Sequence, residues 1–199
     1  MMAAIHARLE ILSRWLVWAG GAALMVSAVI VTIDVLSRKF LGITMFGADE
    51  SSGYVFAAST TWAYSYTLLH RSNVRIGAVY HLLPRPVTAT LDVIGLALLL
   101  YYMWFMTSTA VLAFLESWEL GSVSITTLET PQWIPQFFWA MGLVVFFCVL
   151  IFVTLYALVA LLQRNFDLVR KIAGVPSIDE VVEEETSGID VMEASKAKG

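Results

Sequence analysis

The sequence is short of cysteine and of charge. Cys148 is the single cysteine, so no intrachain disulfide can form and the redox compartment cannot be deduced from cysteine usage. A lone thiol in an apolar run is typical of a small packing residue. Charged residues make up 14% of the 199 positions and hydrophobic residues 59%, a balance that excludes an ordinary soluble domain. These totals predict a polytopic helical membrane protein.

Motifs for catalysis and for metal binding are also missing. The sequence contains no HExxH, no Walker loop and no GxSxG, which are the common signatures of zinc, nucleotide and serine chemistry. Its three histidines, His6, His70 and His81, lie outside the apolar runs and at no metal or haem spacing. We therefore expect no enzymatic activity, no metal site and no cofactor in this chain.

The features of a self-sufficient carrier are scarce. Asp34 and Asp92 are the only charged residues within apolar runs, and both lie near the ends of those runs. Secondary transporters usually show internal repeats and helices broken by Gly or Pro near the midplane, and we find neither. An accessory or scaffold subunit is favoured. A self-contained four-helix carrier or channel that forms homo-oligomers is the alternative.

Four apolar runs account for the hydrophobic composition. Each is long enough to cross a hydrocarbon core of roughly 30 Å, although the second is barely so. We predict an all-α membrane protein with four transmembrane helices, at about 15–37, 53–70, 88–115 and 134–162. Near the middle of the third run lies an aromatic cluster, which we expect to pack against other helices because membrane-edge belts lie elsewhere. The cluster consists of Tyr101, Tyr102, Trp104 and Phe105.

The basic residues predict the orientation of the four helices. Ten of the 12 Lys and Arg fall on the side that holds both termini and the second loop, and only Arg38 and Lys39 fall on the other side. By the positive-inside rule both termini are cytoplasmic. The chain then divides into a cytoplasmic segment 1–14, a membrane domain 15–165 and a cytoplasmic tail 166–199 that is acidic and largely mobile. No feature indicates nucleic-acid binding.

The second run is unusually polar for a transmembrane helix. Ala57, Thr61 and Ser65 form a stripe at four-residue spacing, and Trp62 adds a ring with a polar tip. Hydroxyl groups in a helix can bond back to its own carbonyls, but this density favours contact with protein over contact with lipid. The stripe is a candidate surface for assembly with another subunit.

Charged residues flank the first two runs. Asp34 and Arg38 share one helical face at i, i+4 spacing, which suits either a helix-end ion pair or a bond to a partner subunit. Glu50 lies where a first helical turn is expected, a position that favours acids. Arg71 and Arg75 follow the second run, where they suit either lipid phosphates or subunit assembly.

The order of several short motifs is similar to that of one transporter family. The motifs are DVLSRKF at 34–40, Glu50 before the second helix, LLHRSNVRI at 68–76, TLETPQWIPQ at 127–136 and MGL at 141–143. This ordered set resembles the small membrane subunit, DctQ-like, of tripartite ATP-independent periplasmic (TRAP) transporters. The resemblance extends from about residue 10 to residue 165.

The resemblance implies a subunit of a sodium-coupled symport system for organic acids in the bacterial inner membrane. A separate large permease subunit would carry the substrate and sodium sites, and a periplasmic binding protein would deliver the substrate. The small subunit would pack beside the permease as a fixed scaffold and help to dock the binding protein. The candidate residues for subunit contact or lipid anchoring are Asp34, Arg38, Glu50, Ala57, Thr61, Trp62, Ser65, Arg71 and Arg75.

Overall fold

Helices make up nearly all of the regular structure. The computed structural model of the chain describes residues 2–44, 47–71, 83–126, 128–174 and 186. Within them lie α1 (Met2–Leu41), α2 (Ala48–Leu69), α3 (Arg85–Leu120), α4 (Trp133–Leu162) and α5 (Phe166–Ala173). The β-pairing described is one isolated antiparallel bridge between Val123 and Pro131. The predicted all-α class is confirmed.

Three of these helices are long and apolar enough to cross a membrane. They are Ile5–Leu41 in α1, Arg85–Leu120 in α3 and Trp133–Leu162 in α4. The second predicted span is helical as α2, but it does not qualify on composition, because acids and hydroxyls lower its hydropathy. α1 and α3 extend beyond their predicted runs at both ends. The prediction covered only the apolar residues, whereas the helices continue into the polar residues on either side.

The helices pack in the order α1, α2, α4, α3. α4 is central and contacts α2 on one side, α3 on the other and α5 near its end, whereas α1 packs chiefly on α2. Leu150 and Ala157 of α4 are fully buried. By contrast, α1 presents a row of exposed aliphatic side chains that includes Met25, Val29 and Ile33. Membrane helices leave such faces to lipid or to another chain.

The aromatic cluster of α3 does not pack against helices of this chain as expected. Tyr101, Tyr102, Trp104 and Phe105 are each more than half exposed. Trp104 alone of the four makes a ring contact with another described helix, at 5.8 Å from the ring of Phe147. The cluster therefore faces outward near the middle of α3.

A short amphipathic helix occupies the start of the predicted tail. The chain turns at Arg164, and Asn165 caps α5 by accepting a hydrogen bond on Oδ1 from the Leu168 amide at 3.2 Å. Val169 and Ala173 are buried against the bundle. Residues 166–173 thus form a docked helix at the start of the segment expected to be largely mobile. Except for Thr186, residues after 174 lie outside the described part.

Candidate functional site

The polar stripe of α2 lies inside the chain's own bundle. Thr61 is 3% exposed and Ser65 1%, and Ala57 is half-buried beside them. Gly142 of α4 faces this stripe, and a Cβ there would lie 2.3 Å from the Thr61 Oγ1 atom. Thr61 thus packs against α4 of the same chain and Ser65 is buried beside it, while contact of this stripe with another subunit stays a prediction.

Hydrogen bonds hold α2 to both of its neighbours. The indole Nε1 of Trp62 donates to the Phe138 carbonyl of α4 at 2.9 Å. On the other side, the Ser59 hydroxyl donates to the Gly20 carbonyl of α1 at 3.0 Å. A Cβ at Gly20 would come within 3.2 Å of the Ser59 Cα. Ser59 was not among the predicted site residues. Its partner Gly20 was the available signal, because a glycine in an apolar run permits close contact between helices.

Glu50 joins two segments at one end of the bundle. Its carboxylate accepts a hydrogen bond from the Tyr54 hydroxyl at 2.6 Å and another from the Thr126 hydroxyl. Thr126 in turn lies 2.9 Å from the Ser124 hydroxyl. Glu50 thus links the start of α2 to the α3–α4 loop, 76 residues away.

Gly47 brings the same two segments into contact. It is the N-cap of α2 with φ 88°, and its backbone packs directly on the Leu128 side chain. Any Cβ there would overlap Leu128 as well as strain the left-handed backbone. No side chain caps α2 at Gly47. The Glu50 carboxylate in the first turn bonds to the α3–α4 loop.

The electrostatics of Glu50 follow from these bonds. The hydrogen bonds from Thr126 and Tyr54 stabilise the charged form and lower the pKa of Glu50 below its ordinary value. Glu50 precedes the predicted span at 53–70 and remains ionised at neutral pH. Neither Thr126 nor Tyr54 was singled out from the sequence, because only the fold brings them to Glu50.

Asp34 and Arg38 are separated in the structure. Asp34 is 3% exposed, whereas Arg38 is exposed. No ion pair joins these two residues, both of which lie in the described part of α1. The helix-end ion pair considered from their spacing is therefore not found.

At the opposite end of the bundle, α2 contacts α1 and α5. The Nε2 atom of His70 lies 4.0 Å from Oε1 of Glu10, and its ring lies over Tyr66 at 4.0 Å. Arg71 donates from Nη1 to the Arg170 carbonyl at 3.4 Å. Arg71 thus contacts the protein, which its position alone could not distinguish from lipid anchoring. Arg75 lies outside the described residues.

A second contact ties α3 to α5. Nη1 of Arg85 lies 3.7 Å from Oδ1 of Asp167, and both side chains are largely exposed. Exposed pairs of this kind contribute little to stability. Within the described ranges, no group of three His, Cys, Asp or Glu residues is placed to hold a metal ion.

Together the helices and their contacts define a helical membrane protein whose polar helix is held inside its own bundle. A comparison with protein families matches residues 27–164 to "Tripartite ATP-independent periplasmic transporters, DctQ component". The chain belongs to this family, so the resemblance seen in the sequence is confirmed. Comparisons with curated proteins and with solved structures gave no match. The chain is a small membrane component of a TRAP transporter.

Proposed function

We propose that the chain is the scaffold subunit of a sodium-coupled uptake system for organic acids. In this role it packs against a large permease subunit and helps to dock a periplasmic substrate-binding protein. Sodium ions and substrate bind to the large subunit. Family membership supports the tripartite setting, and the lack of charged residues near the centres of the apolar runs favours a role other than transport by this chain.

The observation that carries the scaffold role is the position of α2. A helix with this many hydroxyls and rings could line a polar transport path. Instead, Thr61 and Ser65 are buried, and Ser59 and Trp62 bond to α1 and α4. The polar groups of Ser59 and Trp62 are therefore used to hold helices together. A rigid bundle of this kind suits a fixed support for a moving partner.

We also propose that α2 is the fourth transmembrane span. The part of α2 beyond its acidic first turn, residues 53–69, extends about 25 Å at 1.5 Å per residue. This is close to the lower limit for a transmembrane helix, and Glu50 lies outside it. One end meets the α3–α4 loop through Gly47 and Leu128, and the other meets α5 through Arg71. With four spans, the basic residues put both termini in the cytoplasm of a bacterial cell and the bundle in its inner membrane.

The contacts of Glu50 with Tyr54 and with Thr126 of the α3–α4 loop support the proposed docking role. They fix the two segments that face the periplasm in this orientation, the start of α2 and the α3–α4 loop. A docking surface binds more tightly when its loops are ordered before the partner arrives. We propose that the binding protein docks over the contact between the start of α2 and the α3–α4 loop.

Co-purification tests the scaffold role. The tagged chain is expressed together with a large TRAP permease component from the same genome and extracted in mild detergent. We expect the two proteins to elute as one complex by size exclusion. A chain that elutes as a homo-oligomer and ignores the permease would support the alternative, a self-contained carrier or channel.

A further inference from the structure

A long groove opens between α2 and α3, with α4 as its floor. It encloses about 660 Å³, because α2 and α3 both pack on α4 and make few contacts with each other. Along α3 it extends from Leu91 to Met106, which corresponds to about 22 Å of helix. The groove is thus long enough to hold much of a membrane-crossing helix.

The groove exposes polar groups near the middle of α3, where lipid tails offer no hydrogen-bond partners. Tyr102 lies at the centre of α3 and is 55% exposed, and Tyr64 of α2 is 41% exposed. Both line the groove, together with Thr67. Neither phenol has a hydrogen-bond partner among the residues that the structure describes. A hydroxyl facing hydrocarbon loses the hydrogen bonds that water or protein would supply.

A second groove in the same chain shows the contrast. It lies between α1 and α2, encloses about 340 Å³ and is lined mainly by small and aliphatic side chains such as Ala22, Val26 and Ile30. Acyl chains suit such a surface. The α2–α3 groove differs from this one because it is lined by aromatic rings and has exposed backbone at Gly95, where a Cβ would meet nothing within 4 Å. Close approach at glycine and interhelical hydrogen bonds are typical of helix–helix contact in membranes.

We propose that the α2–α3 groove seats a transmembrane helix of the large permease component. This inference rests on the proposed scaffold function and adds the surface through which assembly occurs. The seated helix presents polar side chains to Tyr64 and Tyr102 and packs its backbone close to Gly95. The outward-facing aromatic cluster of α3 flanks the mouth of the groove and extends the contact.

Filling the groove tests the proposal. Gly95→Phe puts a ring into open space, so it leaves the chain's own packing intact while it excludes the partner helix. We expect the yield of co-purified permease to fall by about tenfold, with the thermal unfolding midpoint of the isolated chain unchanged. Gly95→Ala, which occupies little of the groove, retains the permease.

Gly21→Phe is the matched control. Gly21 lies on the outer face of α1, and a Cβ there also meets nothing within 4 Å. The control should retain the permease. If wild type binds the permease and Gly95→Phe binds it equally well, the groove proposal fails and the scaffold function stands. If wild type does not bind, the scaffold function itself fails.

Photo-cross-linking tests the same contact without relying on a bulky substitution. Benzoylphenylalanine in place of Tyr102 should cross-link to the permease, whereas the same residue in place of Val29, which is 57% exposed on α1, should not. Cross-links from position 102 to phospholipid alone would identify the groove as a lipid site and overturn the proposal.

Discussion

At the scale of single residues, Gly142 sets the distance between α2 and α4. A Cβ at this position would lie 2.8 Å from the Thr61 Cβ and 2.6 Å from the Trp62 ring. Neither neighbour can move freely, because Thr61 is buried and the Trp62 indole is hydrogen-bonded to Phe138. The side chain at this position decides whether α2 can approach the centre of the bundle.

We predict that Gly142→Leu destabilises the chain by about 1–3 kcal/mol through overpacking. Gly95→Leu is the control, since that position has free space around it. The measurement is the thermal unfolding midpoint of each purified chain in detergent. Equal midpoints for the two variants would show that α2 and α4 are not in close contact at Gly142.

Glu50 gives a prediction about pH. Because hydrogen bonds from Thr126 and Tyr54 lower its folded-state pKa below 4.5, its contribution to stability is present above that value. The contribution is lost as the pH falls through the lower folded pKa. Glu50→Gln should therefore lower the unfolding midpoint at pH 7, and the difference from wild type should shrink as the pH falls below 4.5.

Thr126→Val separates the two partners of Glu50. It removes the bond to the α3–α4 loop and leaves the bond from Tyr54 within α2. We expect its effect at pH 7 to be smaller than that of Glu50→Gln and to follow the same trend with pH. A difference between wild type and Glu50→Gln that grows as the pH falls would contradict the assigned hydrogen bonds.

At the scale of elements, α2 decides the topology. Its hydropathy does not mark it as a span, yet its length and its contacts at both ends support one. We predict that Ile43→Cys and Pro84→Cys, made in a Cys148→Ala background, lie on opposite sides of the membrane. An impermeant maleimide should label position 43 in intact spheroplasts and position 84 only after permeabilisation.

Gly121→Cys and Arg164→Cys serve as controls, because they flank α4, an apolar span by composition. They should report the outside and the inside respectively. If positions 43 and 84 react from the same side while these two differ, α2 does not cross the membrane and the four-span proposal is wrong.

The elements also show what the sequence could and could not predict. Length and hydropathy located α1, α3 and α4, and α4 agrees with its predicted bounds within one residue. They could not show that Thr61 faces Gly142, because a polar stripe favours protein contact without naming the protein. The bond between Glu50 and Thr126 joins residues 76 apart, and no local pattern contains such information. The start of α5 was missed because its polar face resembles a mobile tail.

At the scale of the whole molecule, the chain is organised for assembly. α4 holds the centre, α1 lies at the edge on α2, and the α2–α3 groove stays open. The polar groups of α2 are divided between contacts inside the bundle and the wall of the groove. This division suits a membrane subunit that is stable enough to fold and is completed by a partner.

Reconstituted uptake tests the central claim, that this chain supports transport without performing it. Proteoliposomes receive the chain alone or the chain with the large permease, each with the binding protein, labelled organic acids and an inward sodium gradient. The panel contains dicarboxylates, keto acids and sugar acids. We predict no uptake by the chain alone and sodium-dependent uptake of at least one substrate by the complex. Uptake by the chain alone would contradict the scaffold function.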